Sequence, residues 1–172
     1  MPAEGGSASG GKIYIGADHV GFEIKEKLMD YLINQGYEVA DKGAFVFNKH
    51  DDYPDFIKPL AEAVAEDSKA RGIIIGGSGF GEAICANRVK GSRALVFYGP
   101  MLPEIAVDIE GRKSNDPYEI IKLARLHNDA NIISFGVRFI TEEQMKEAIK
   151  VFLETKFSGD ERHIRRIKKL DL

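Results

Sequence analysis

The stretch Gly72-Ile73-Ile74-Ile75-Gly76-Gly77-Ser78-Gly79-Phe80-Gly81-Glu82 decides the fold. It opens with a continuous apolar run that does not alternate, the pattern of a strand covered on both faces. A glycine-rich loop follows at once, and then a helical segment over 82–89. A strand covered on both faces belongs to a parallel sheet between two helical layers.

The pattern repeats outward from there. Upstream, KIYIGA (12–17) predicts a strand, and 20–35 carries Phe22, Ile24, Leu28, Tyr31 and Leu32 at helical spacing before Gly36. A second strand opens at 37–39, and 42–55 reads as a loop of Gly, Asn, Asp and Pro. The segment 56–69 is amphipathic, with Ile57, Leu60, Ala61 and Val64 on one face. Downstream, ALVFY (94–98) and NIISF (131–135) are strands, Thr141 to about Thr155 is a long helix, and 160–170 is helical and basic. Strand followed by helix, five times over, predicts a single three-layer α/β/α domain on a five-stranded, parallel, Rossmann-like sheet.

Composition narrows the function classes. The chain has 172 residues, 24 Lys and Arg against 27 Asp and Glu, and a net charge of −3, which argues against a nucleic-acid or membrane partner. A single cysteine, Cys85, excludes an internal disulfide framework and a cysteine zinc site. The apolar runs are a few residues long, far short of the ~20 that span a bilayer. No signal-peptide pattern opens the sequence, so a cytoplasmic protein is expected. Residues 1–11 are small, Gly/Ser-rich and aperiodic, and read as a flexible tail ahead of a domain over 12–172.

In a parallel sheet, ligands sit beyond the carboxyl ends of the strands. Those ends carry Asp18 and His19, then Asp51, Asp52 and Tyr53, then the glycine loop, then Gly136-Val137-Arg138. Glycines at 76, 77, 79 and 81 cost backbone entropy beyond what a turn demands, which points to a close approach of ligand to main-chain amides. Glu82 stands where a P-loop wants lysine, which weakens the reading of a bound triphosphate. The Gly77-x-Gly79-x-Gly81 spacing also departs from the dinucleotide pattern, and Gly76 stands where a receiver domain needs its aspartate.

Glu82 has two readings. It complements a helix dipole, or it is a general base beside an oxyanion hole, with Ser78 adding a hydroxyl. Of the four histidines, His19, His127 and His163 each adjoin a polar neighbour, and none has compact metal-ligand spacing. The basic segment 162–169 reads as a solvated helix end with favourable dipole placement, as a local nucleic-acid patch that the acidic remainder of the chain argues against, or as a phosphate clamp in which Arg162 and Arg166, at i and i+4, share a helix face.

Six segments then occur together: Gly16-Ala17-Asp18-His19-Val20-Gly21-Phe22; Asp52-Tyr53-Pro54; Gly76 to Glu82 with Ala86-Asn87; His127-Asn128-Asp129-Ala130-Asn131; Phe135-Gly136-Val137-Arg138; and Arg162-His163 with Arg166. With these the chain resembles the type B ribose-5-phosphate isomerases, whose family also holds galactose-6-phosphate isomerase subunits and allose-6-phosphate isomerases. The resemblance spans essentially 12–170. It implies a cofactor-free, metal-independent aldose–ketose isomerase acting through a cis-enediolate on ribose 5-phosphate and ribulose 5-phosphate. Isomerisation of a six-carbon sugar phosphate, or mere sugar-phosphate binding, are the competing expectations.

By the same resemblance, Asp18 and His127 assist ring opening and Glu82 shuttles the proton between C1 and C2. Gly77, Ser78, Gly79, Phe80 and Gly81 form the anion hole. His19, Arg138, Arg162 and Arg166 hold the phosphate, while Tyr53 and Asn128 line the sugar site. It also implies a homodimer, or dimers paired into a tetramer, with each site shared between two subunits. One branch of the family carries a cysteine base at the position of Gly76, and another a glutamate at that of Glu82, so this chain resembles the glutamate branch. Residues 100–119 read as an inserted polar loop that bears on substrate choice or on nothing.

Overall fold

A computed structural model describes residues 11–171. The tail expected over 1–11 thus lies outside the described residues, apart from Gly11. Five strands, β1 (Ile13–Ala17), β2 (Val39–Asp41), β3 (Arg71–Gly76), β4 (Ala94–Phe97) and β5 (Ile132–Gly136), form one parallel sheet in the order β2-β1-β3-β5-β4. Six helices accompany them: α1 (Phe22–Asn34), α2 (Pro54–Glu66), α3 (Phe80–Ala86), α4 (Glu119–Asn128), α5 (Glu142–Glu154) and α6 (Glu161–Lys168).

The period of two in the strands builds two cores. Ile13, Ile15, Ile73, Ile75, Ile133, Phe135 and Phe97 face α1, α4 and α5. Ile74 and Ile132 face α2 and α3, against Ile57, Leu60, Ala61, Val64 and Ala86. The isoleucine run of β3 therefore feeds both layers, and each of its side chains is fully buried, worth roughly 1.5–3 kcal/mol apiece in apolar transfer. α5 starts at a capping box in which Thr141 and Gln144 satisfy each other's amides.

Two features position the site. The chain steps from β1 outward to β2 and then back across to β3, so the order of strand addition reverses between β1 and β3 and opens a crevice above their ends. The second strand begins at Val39, two residues later than the sequence suggested, because Gly36 (φ +87°) ends α1 in a left-handed turn. Beyond β2, Ala17 donates to the Gly43 carbonyl at 2.7 Å and Ala44 to that of Ala17 at 2.6 Å, which carries the next loop up to the crevice. Among the described residues no helix is long and apolar enough to cross a membrane.

Candidate active site

The glycine loop joins β3 to α3 and packs against the turn after β5. Val137 donates to the Gly76 carbonyl at 3.0 Å, and Ser134 Oγ, fully buried, donates to the Gly79 carbonyl at 2.7 Å. Tyr98 Oη donates to the Ser78 carbonyl at 2.8 Å. Gly79 has φ +77°, and a side chain there would strike the Phe135 backbone, so this position demands glycine twice over. The carbonyls are thus tied down on the protein side. The amides of Gly77, Ser78 and Gly79 donate to no other group among the described residues. Ser78 Oγ accepts from the Phe80 amide at 3.3 Å, so the hydroxyl braces the loop.

Glu82 is 4% exposed. Its carboxylate lies directly over Gly76, where any side chain at 76 would overlap it. Burial pushes the Glu82 carboxyl above the ordinary carboxylate range; a hydrogen bond from its own main chain opposes this, and the nearby Asp18 charge adds to it. A base with raised affinity for protons, at the mouth of free amides, is equipped to take a proton from carbon while the amides hold an oxyanion.

Around this cradle stand other residues expected from the sequence. Asp18 Oδ1 accepts from the Val20 and Gly21 amides at 2.9 and 3.2 Å, which fixes its carboxylate at the end of β1. His19 is half-buried, and its Nδ1 lies 2.6 Å from Asp51 Oδ1. The Tyr53 ring rests against Gly81, and the Arg138 guanidinium lies over Gly77. Asp18, His19 and Asp51 bring one potential ligand atom each to within 4.8 Å of one another, a cluster that sequence spacing does not suggest. The His19–Asp51 hydrogen bond already uses one atom from two of the three.

A second group forms elsewhere. α4 runs back antiparallel to the strands, so its C-terminal His127 and Asn128 arrive at the edge where strands begin. Arg93, just before β4, donates to the Asn128 and Asp129 carbonyls at 2.9 Å, which fixes that location. The His127 ring stacks on His163 of α6 at 4.4 Å between centroids and 13° between planes. Burial, then the neighbouring His127 and Arg162, lower the His163 proton affinity. A cavity of about 640 Å³ opens here, lined by His127, Arg162, His163 and Arg165 and by residues 108–112. Arg162 lines it; Arg166, expected beside it, is exposed on the next turn of α6.

The two groups do not meet within one chain. β5 spans the sheet from Ile132 to Gly136, so at about 3.3 Å per residue the two edges lie roughly 15 Å apart. Glu82, Asp18, Ser78, His19, Tyr53 and Arg138 share one edge, while His127, Asn128, Arg162 and Arg166 share the other.

Sequence reasoning missed Ser134 and Tyr98, and it named Asp51 and His163 without finding their partners. Asp51 contacts His19 across 32 positions, and Ser134 contacts Gly79 across 55, so no local pattern announces either contact. Tyr98, packed between Phe80 and Phe139, and the buried ring of His163 are visible only once the fold is formed.

A family model described as Ribose/Galactose Isomerase matches residues 13–110 and 114–170. The chain belongs to the ribose/galactose isomerase family. It is 35% identical over 159 residues to ribose-5-phosphate isomerase B of Mycobacterium leprae, covering 92% of this chain and 87% of that one. Against the Escherichia coli protein of the same name identity is 35% over 156 residues, 91% of each chain. Among solved members of the family, the Clostridium thermocellum ribose-5-phosphate isomerase B superposes with a TM-score of 0.78 at 35% identity, covering 94% of this chain and 95% of that one. The Mycoplasma genitalium enzyme, solved with bound ribulose-5-phosphate, gives 0.78 at 32% identity and covers 92% and 93%.

Proposed function

We propose that this protein interconverts ribose 5-phosphate and ribulose 5-phosphate, with Glu82 as the proton-transfer base. The observation that carries this reading is the Glu82 carboxylate, buried over Gly76 beside the free amides of 77–79. In the open aldose, Glu82 takes the proton from C2. The electron pair forms the C1–C2 double bond, and O1 becomes an oxyanion held by the loop amides. Glu82 then returns its proton to C1, while the O2 hydroxyl gives its proton to O1 and C2 becomes the ketone. The reaction is redox-neutral, and no atom is left over.

The glutamate branch of the family suits this geometry. Gly76 leaves no room for a second base, since a cysteine side chain would occupy the volume that the Glu82 carboxylate fills. Cys85 lies on α3, and burial pushes its thiol up, away from the reactive thiolate form.

The remaining chemistry needs the other edge of the sheet. His127 is the acid–base group for ring opening, together with Asp18, and Arg162 and Arg166 join His19 and Arg138 on the phosphate. Since those groups lie at opposite edges of one chain, the site is completed by a second copy, in a dimer or a pair of dimers. An exposed apolar surface beside the cradle supports this assembly: Phe80, Ile84 and Phe139 are each more than half exposed, with Tyr98 between Phe80 and Phe139. Tyr53 and Asn128 line the sugar. A cytoplasmic location fits the single free thiol.

The test is a coupled isomerase assay of the purified protein on ribose 5-phosphate, unphosphorylated ribose and six-carbon aldose phosphates. Turnover of ribose 5-phosphate far above the others is expected. Binding of ribose 5-phosphate without turnover would replace the isomerase by a sensor.

A further inference from the structure

Residues 100–118 link β4 to α4 and take no part in the reaction described above. They form a fastened strap rather than a loose loop. Arg112 is held twice: its Nη2 donates to Glu119 Oε1 at 2.6 Å, and its Nε to Asp108 Oδ2 at 3.1 Å. Glu119, the first residue of α4, is 2% exposed, and its other oxygen accepts from Ser114 Oγ at 2.6 Å. Burial opposes ionisation of Glu119, but the bonds from Arg112 and Ser114 prevail and hold its carboxyl below the ordinary range. The Arg112 amide donates to Asp108 Oδ1 at 2.9 Å, Val107 donates to the Arg112 carbonyl at 2.8 Å, and Met101 to that of Pro117 at 2.8 Å.

The knot at Arg112 turns Asp108, Ile109 and Glu110 toward the cavity that also contains His127, Arg162 and His163. Ile109 is an apolar side chain left 76% exposed among the described residues. The family match also breaks at this knot, between residues 110 and 114.

We propose that the strap is the specificity wall of the sugar-phosphate site, with Asp108, Ile109 and Glu110 bounding the cavity beside His127 and the Arg112–Glu119 bond holding them there. This deepens the isomerase reading and rests on it. The half-site at this edge brings His127 to the ring oxygen and Arg162 to the phosphate, while the carbons that exchange a proton are fixed by Glu82 on the other half-site. An extra carbon between them must therefore push against this wall. The strap excludes the longer aldose phosphate by volume, and removing side chains from its tip relieves that exclusion.

The experiment compares kcat/KM for ribose 5-phosphate with that for a six-carbon aldose 6-phosphate, in the wild type, in Arg112→Ala and in the Ile109→Ala/Glu110→Ala double variant. The ratio should move toward the six-carbon substrate about tenfold in Arg112→Ala, and several-fold in the tip variant, the scale set by one methylene in a pocket. The tip residues are exposed, so the double variant decides the matter even where Arg112→Ala fails to fold. A ratio within twofold of wild type in the folded variants overturns the wall. Absence of ribose 5-phosphate turnover in the wild type strikes the isomerase reading itself and takes this inference with it.

Discussion

The Gly76–Glu82 cradle and the His127 corner are built on opposite principles. In the cradle the shape comes from main chain: Gly79 is fixed by φ and by contact with Phe135, its carbonyl by Ser134, and the Ser78 carbonyl by Tyr98. The corner is made of long side chains on two helices and a strap, held by ring stacking and ion pairs around an open cavity. Backbone amides held in place need no reorganisation when charge develops, which suits the stabilisation of an enediolate. Side chains on helix surfaces tolerate repacking, which suits recognition. Under the proposed reading, the proton transfer between carbons thus belongs to rigid sheet ends, and the corner adds ring opening and part of the phosphate recognition from surface elements.

The sharpest way to break this division is at the base. Glu82→Gln keeps the shape of the cradle and removes only the proton acceptor. Turnover of ribose 5-phosphate should fall by about 10²–10⁴-fold or more, with ligand binding retained, because the corner and the amides are untouched. The check is steady-state kinetics alongside calorimetric titration with a substrate analogue. Retained turnover would move the chemistry away from the cradle.

A second test asks whether the two regions work across copies. Glu82→Gln and His127→Ala are each expected to be inactive alone. In a two-fold dimer formed from both, one of the two sites combines an intact Glu82 with an intact His127. Co-refolding equal amounts should therefore restore about a quarter of wild-type activity, since half the dimers are mixed and each has one good site. No recovery, with mixed dimers demonstrated by mass, would place both groups in one site within a single chain, against the separation of the sheet edges.

The same contrast explains what the sequence reveals. The cradle is legible because its physics is local: an unalternating isoleucine run, clustered glycines and a carboxylate six residues past the strand end all lie between 72 and 82. The corner is not legible from local patterns. His127 and His163 are separated by 36 positions, and nothing in either neighbourhood signals a stacked pair; only the resemblance placed His127 in the reaction. Asp51 and Ser134 act through long-range contacts that exist only after β1, β3 and β5 align. The strap was visible as an oddity of length, but its fastening depends on Arg112 finding a carboxylate that α4 buries.

The smallest effect concerns stability and has a definite sign. The Glu82 carboxyl gives up its proton less readily in the folded chain than in the unfolded one, first because it is buried and then because Asp18 is near. The folded state therefore binds more protons than the unfolded state between the two pKa values. Stability contributed at this position is unaffected below the unfolded value of about 4.5, and it falls as pH rises through the folded value. Above the unfolded value this buried carboxyl is consequently a burden on the fold, as groups kept for a site's chemistry commonly are. Glu82→Gln has the same shape and no charge, so its Tm at pH 7.5 should exceed that of the wild type by on the order of a few degrees, and the gap should close at pH 4. Thermal melts of both proteins at the two pH values measure this directly. A variant that melts below the wild type at pH 7.5 would mean that the carboxylate is stabilised by its amides more than it is strained by burial, and the cradle would then be a resting place for Glu82 rather than a device that keeps it basic.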